Sequence, residues 1–149
     1  MGCANGLLME SVAAWCAGRG LAVEPYGVDI SPALAELARR RLPQWAGRIW
    51  TGNAADWRPP GAMRFDYVHI LLDCVPRARR ADLVRHHLAY TVRPGTGRVL
   101  VSDYAVDPAA GHPPAAETLR ALGFRCAGRT SGGDRPGRPA APTAWITAP

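Results

Sequence analysis

The residues with the most chemistry in them lie at the amino terminus. Gly2-Cys3-Ala4-Asn5-Gly6 is a run of small residues leading straight into a segment of helical apolar spacing. Such a turn lets backbone approach a ligand closely, and a helix start offers free N–H groups to a carboxylate or another anion. Gly27-Val28-Asp29-Ile30-Ser31 ends a short apolar stretch. An acidic residue about 20 positions beyond a glycine-rich turn is placed to accept hydrogen bonds from ribose hydroxyls. Taken alone, Asp29 reads equally as a turn or capping residue. Thr51-Gly52-Asn53-Ala54-Ala55-Asp56-Trp57 offers an amide, a backbone N–H and a carboxylate near one another. That set can read the edge of an adenine ring; alone, it is a polar connecting loop.

Other chemistries are excluded by residue type. All eighteen basic residues are Arg, so a Schiff-base lysine and a Lys-bearing phosphate loop are ruled out. Cys3, Cys16, Cys74 and Cys126 form no CxxC pair and have no His at zinc-ligand spacing, so no metal site is expected. They read as small apolar fillers in a reducing compartment. Met1-Gly2-Cys3 resembles the start of an acylation signal, but that signal wants Ser or Thr where Gly6 stands. With no basic stretch ahead of an apolar run, no signal peptide is evident, and a cytoplasmic location is expected. No apolar run reaches the roughly 18 residues of a membrane span.

The elements that must position these residues follow from periodicity. Residues 6–18 read as a helix, with Leu7, Leu8, Val12, Trp15 and Cys16 at helical spacing and glycines after it. Residues 22–30 read as a strand ending at Asp29. Ser31-Pro32 then opens a helix to about Leu42, Ser capping and Pro in the first turn. A short strand is expected near Arg48–Thr51. Phe65–Leu72 and Arg98–Tyr104 are continuous apolar strands of the kind covered on both faces. Residues 77–90 form an Arg-rich helix, and 114–122 a last one. Phe124–Arg129 and Thr143–Thr147 are two further strands, separated by a Gly/Pro/Arg loop over Ser131–Pro142. At 149 residues with 48% hydrophobic and 20% charged, one domain spanning 1–149 is expected. The alternation implies an α/β, Rossmann-like, mostly parallel sheet with flanking helices and a C-terminal antiparallel strand pair.

This ordered series resembles the class I S-adenosylmethionine-dependent methyltransferases over most of the chain. Members carry a glycine-rich turn after the first strand, matched by Gly2–Gly6. They carry an acid ending the second strand, matched by Asp29, and a Gly-Asp-Ala-type segment after the third, matched by Gly52-Asn53-Ala54 with Asn in place of Asp. Phe65-Asp66-Tyr67-Val68 resembles the start of their fourth strand. Arg93-Pro94-Gly95 with Arg98–Ser102 resembles their turn and fifth strand, and Leu122-Gly123-Phe124 the approach to their sixth. The resemblance implies S-adenosyl-L-methionine as cofactor, with Gly2, Cys3, Ala4 and Gly6 under its methionine portion. Asp29 would hold the ribose and Ile30 pack on the adenine, with Asn53 and Ala54 at the adenine edge and Asp56 nearby. Ala4 departs from the usual second glycine. Because nothing precedes the turn but Met1, the fold is expected to be N-terminally incomplete, lacking its first strand.

Methyl transfer is an in-line displacement that mainly requires positioning, with a general base useful for an oxygen acceptor. His69 and Asp73, in or just after the fourth strand, Asp103 and Tyr104, ending the fifth, and His112 in the next loop are candidates. His69 reads equally as a core histidine and Asp73 as a helix cap, so no base is singled out. His86 and His87 are expected at the surface. No Asn-Pro-Pro-aromatic motif follows the fourth strand; Leu71-Leu72-Asp73-Cys74-Val75-Pro76 stands there. A small-molecule acceptor is therefore expected. The net charge of +6 clusters at Arg39–Arg41 and at Arg77, Arg79, Arg80 and Arg85. It reads as solvated helix faces rather than a nucleic-acid surface, and no membrane partner is expected. Two other readings remain at this point. One is a nicotinamide-dependent Rossmann oxidoreductase, whose GxGxxG fingerprint Gly2–Gly6 does not supply. The other is an inactive fragment or binding module.

Overall fold

A computed structural model describes residues 1–102, 113–130, 133–135, 138–139 and 142–149. The chain divides into two compact units, Met1–Trp57 and Arg58–Pro149.

In the first unit, helix α1 (Leu7–Ala17) leads to strand β1 (Gly27–Asp29), helix α2 (Pro32–Arg41), a 3-10 segment (Pro43–Arg48) and strand β2 (Ile49–Thr51). β1 and β2 pair in parallel, Gly27 opposite Ile49 and Asp29 opposite Thr51. Helix α2 starts as its sequence implies: the Ser31 hydroxyl accepts from the Leu34 N–H at 3.4 Å, and Pro32 occupies the first turn. Ala35, Ala38 and Leu42 on its inner face pack with Met9 and Ile49 in a small core, with Cys3 and Trp45 against it. Helix α1 buries only Met9. Its residues Leu8, Val12 and Trp15 lie exposed.

The strand expected over 22–30 forms only at Gly27–Asp29. Its partner β2 is three residues long, and Pro25 has no N–H to give to a ladder. The Arg39–Arg41 cluster is largely occupied within this unit. Arg39 donates from Nε and Nη2 to the Ile49 carbonyl at 3.0 and 2.9 Å. Arg40 pairs with Glu36. Arg41 donates to the Asn5 carbonyl at 2.6 Å and pairs with Glu10 at 2.8 Å.

The second unit runs through strand β3 (Tyr67–Leu71), helix α3 (Arg80–Tyr90), strand β4 (Arg98–Ser102), helix α4 (Ala115–Ala121) and strands β5 (Gly128–Thr130), β6 (Gly133–Arg135), β7 (Arg138–Pro139) and β8 (Thr143–Thr147). Its main sheet has the order β3-β4-β8-β5. β3 and β4 are parallel, and β8 runs antiparallel to both β4 and β5. Val68, Ile70, Val99, Val101 and Ile146 supply its buried residues, with Val84 and Leu119 from the helices. The mixed sheet with a C-terminal antiparallel pair is the architecture that the alternation implies.

Several local expectations are corrected. The helix over 77–90 opens with a separate 3-10 turn at Arg77–Arg79 after Pro76. The strand over 124–129 moves to Gly128–Thr130, because the Phe124 N–H is spent on the Leu119 carbonyl at the end of α4, where Gly123 takes φ +85°. The loop over 131–142 contains the short ribbon β6-β7. His87 is not at the surface but fully buried. It stands one helical turn beyond Leu83 and Val84 on the inward face of α3, and its Nδ1 lies 3.1 Å from the Thr91 hydroxyl. Cys74 is exposed rather than a core filler, and all four cysteines are free thiols. No described helix is long and apolar enough to cross a membrane.

Candidate functional site

The site is built around one side chain. Asp29 ends β1 and is 6% exposed. Its Oδ2 accepts the Ala4 N–H at 2.7 Å, and its Oδ1 accepts the Ser31 N–H at 2.9 Å. Its backbone carbonyl accepts the Gly52 N–H at 2.9 Å. The three segments singled out in the sequence therefore meet at one residue: the glycine-rich turn, the acid, and the segment after β2. Each carboxylate oxygen keeps a further lone-pair site after these bonds, since an ionised carboxylate offers about four.

The turn itself lies along β1. The N–H groups of Gly2 and Cys3 both donate to the Val28 carbonyl, at 2.8 and 3.0 Å. Gly27 allows this approach, since a Cβ there would lie 2.7 Å from Met9 Sδ and 2.9 Å from Cys3 Sγ. Gly2 and Gly6 adopt φ +70° and +80°, and Ala4, without glycine's freedom, adopts +45°. The Asp29 hydrogen bond holds Ala4 in this region that L-residues disfavour. The Asn5 side-chain oxygen accepts the Leu7 N–H at 3.1 Å, covering one of the free donors at the start of α1. Burial, and then the neighbouring Asp29 carboxylate, push the Cys3 thiol upward, so it stays protonated beneath the turn.

Ile30 follows the acid and is 68% exposed, an apolar surface beside a hydrogen-bonding carboxylate. Beyond β2, the Asn53 side-chain oxygen accepts the Ala55 N–H at 3.0 Å, and its carbonyl accepts from Asp56 and Trp57. Asn53 thus shapes its own turn, while Asp56 stands exposed at the rim. Trp57 folds back over Gly52, where a Cβ would come within 2.5 Å of its ring. Trp57 also packs on Trp50, which stacks on Tyr26 at 5.8 Å.

The candidate bases lie in the second unit. His69 is in the middle of β3, and its Nε2 is 2.9 Å from Ser102 Oγ at the end of β4. Ser102 Oγ is in turn 2.7 Å from Thr143 Oγ1 at the start of β8. Burial lowers His69 to about 4, so the ring is neutral near pH 7. Asp73 is exposed after β3 and does not cap the helix that follows, which has no side-chain cap. His112, Asp103 and Tyr104 lie outside the described residues. Among the described residues, no group of three or more His, Cys, Asp or Glu is arranged to hold a metal. Sequence reasoning missed Ser102 and Thr143. Their pairing depends on the β4–β8 register, which no local pattern announces.

No family model and no curated protein matches the chain by sequence. Solved structures do. The N-methyltransferase NodS from Bradyrhizobium japonicum WM9 superposes with a TM-score of 0.66 at 18% identity, over 99% of this chain and 83% of that one. Magnesium protoporphyrin IX methyltransferase ChlM from Synechocystis PCC 6803, solved with bound S-adenosylmethionine, gives 0.61 at 19% identity, over 98% and 67%. A protein from Pyrococcus horikoshii OT3 gives 0.70 at 13% identity, over 99% and 79%. The fold is that of the class I S-adenosylmethionine-dependent methyltransferases. Asp29 ends β1, as the strand reading of the sequence expects.

Proposed function

We propose that the chain transfers a methyl group from S-adenosyl-L-methionine to a small-molecule acceptor, and that residues 1–149 act as one cofactor-binding domain. The observation that carries this reading is the convergence on Asp29 of the Gly2–Gly6 turn, the start of α2 and the segment after β2. The residues fit the cofactor. Gly2 has open space where a Cβ would stand, so a ligand can lie directly against the backbone. Exposed Ile30 offers an apolar plane for adenine, and the unused lone pairs of Asp29 suit ribose hydroxyls. Gly2, Cys3, Ala4 and Gly6 would underlie the methionine portion, with its carboxylate toward the start of α1. Asn53, Ala54 and Asp56 would meet the adenine edge.

The bound cofactor supplies an electrophilic methyl on a sulfonium. The chain's part is to hold that methyl in line with the acceptor and to keep the site dry. His69, neutral near pH 7 and hydrogen-bonded through Ser102 to Thr143, would orient groups at the strand ends rather than take up a proton strongly. Asp73, exposed after β3, is the alternative acceptor of a proton. Proteins of this fold include the N-methyltransferase NodS and the mitomycin 7-O-methyltransferase MmcR. A small-molecule acceptor is in keeping with them.

Calorimetric titration of the folded chain with S-adenosylhomocysteine tests the reading. Micromolar binding that weakens in Asp29→Ala is expected. A cooperatively folded chain that binds no S-adenosylhomocysteine would sink it.

A further inference from the structure

The second unit holds a cavity of about 340 Å³ that the reading above leaves without an occupant. Its walls are the start of α4 (Pro114, Glu117), the end of β5 (Arg129, Thr130) and the start of β8 (Pro142, Thr143). The sheet register accounts for the placement. Thr143 faces Thr130 across one ladder and Ser102 across the other, so three strand ends meet at this edge. The volume falls in the range of small-molecule sites, about 300–1,000 Å³.

Among the described residues, the lining carries one charge of each sign. Glu117 and Arg129 are both exposed, and neither takes part in an ion pair with another described residue. The Thr143 hydroxyl on the same wall is held by Ser102, which is held by His69. A lining that carries a fixed hydroxyl and both signs of charge suits a ligand that is itself dipolar. Arg presents a planar fork that matches a carboxylate with two parallel hydrogen bonds. A carboxylate side chain complements an ammonium group. A ligand of single charge would satisfy one and leave the other facing it with like charge.

We propose that this cavity binds a small zwitterion, a molecule with a carboxylate for Arg129 and a protonated amine for Glu117. This binding does not rest on the methyltransferase reading. Exposed charge pairs are individually weak, so affinity depends on both being engaged together within the concave wall.

The test is an NMR titration of the isotope-labelled 149-residue chain with β-alanine and 4-aminobutyrate. The end-capped analogues 4-acetamidobutyrate and 4-aminobutyramide are titrated alongside. Saturable shifts of the Glu117, Thr130 and Thr143 amides are expected with the zwitterions. Capping either end, or introducing Arg129→Gln or Glu117→Gln, should weaken binding at least about tenfold, the equivalent of about 1.4 kcal/mol. Both substitutions are at exposed positions, and unchanged thermal melts confirm that they leave the fold intact. Thr143→Val, which keeps the shape of the wall, should weaken binding more modestly. Absence of saturable shifts with either zwitterion, or shifts that survive both charge variants, overturns the proposal. S-adenosylhomocysteine is titrated into the same sample. Its binding without zwitterion binding removes this inference and leaves the methyltransferase reading standing. The reverse result removes that reading and keeps the site.

Discussion

Asp29 makes two backbone hydrogen bonds with one carboxylate. Before any ligand arrives, it clamps Ala4 in a left-handed conformation and fixes the start of α2. Hydrogen bonds to a charged group contribute about 1.5–3 kcal/mol each. Asp29→Ala should therefore lower both the melting temperature and S-adenosylhomocysteine affinity, the latter by roughly tenfold or more, read by calorimetry. Asp29→Asn is the graded step. It retains one acceptor oxygen for a single backbone N–H, so it should lie between wild type and Asp29→Ala in both readings. His69 makes a pH prediction. Its folded value, about 4, lies below the unfolded value near 6.5. The unfolded chain therefore takes up the proton more readily. The contribution of the neutral ring is fully present above pH 6.5 and is lost as pH falls toward 4, with no further loss below. Denaturant titrations at pH 7.5 and 4.5 should differ by more in the wild type than in His69→Gln, by on the order of 2 kcal/mol.

At the level of elements, close approach between backbones decides what can be changed. Gly27→Ala would drive a methyl into Met9 and Cys3, pushing the turn off β1. Gly6→Ala would meet Leu42 at 2.6 Å and also strain a residue at φ +80°, which alone costs roughly 1–2 kcal/mol. Both should destabilise the first unit, and Gly27→Ala should weaken S-adenosylhomocysteine binding beyond what its melting temperature explains. The α2 cap and the parallel β3–β4 pair were legible in the sequence, because Ser31-Pro32 and continuous apolar runs are local signals. The Asp29 position was legible for the same reason, as an acid closing an apolar stretch. What was not legible depended on pairing between distant segments. The short β1 is limited by its partner, β5 is displaced by the closure of α4, and the Ser102–Thr143 contact belongs to the β4–β8 register. His87 was misplaced because the Arg residues around it suggested a solvated helix, whereas its spacing from Leu83 and Val84 puts it inward.

Over the whole molecule, the two units offer very different backbone protection. β4 has partners on both sides, and Val99 and Val101 are fully buried. β1 and β2 are three-residue strands in a two-stranded sheet. Amide exchange should be slower in β4 than in β1 and β2. S-adenosylhomocysteine should slow exchange in residues 2–6, 29–30 and 53–56, and protection confined to other segments would contradict the assigned cofactor site. The first unit also carries a consequence of the Trp57 ring lying on Gly52. That indole sits within a few bonds of the turn assigned to adenine, in a stack with Trp50 and Tyr26. Light absorbed there is emitted from surroundings that a bound purine would alter. Tryptophan emission thus gives an optical test of the proposed cofactor site that needs no attached dye.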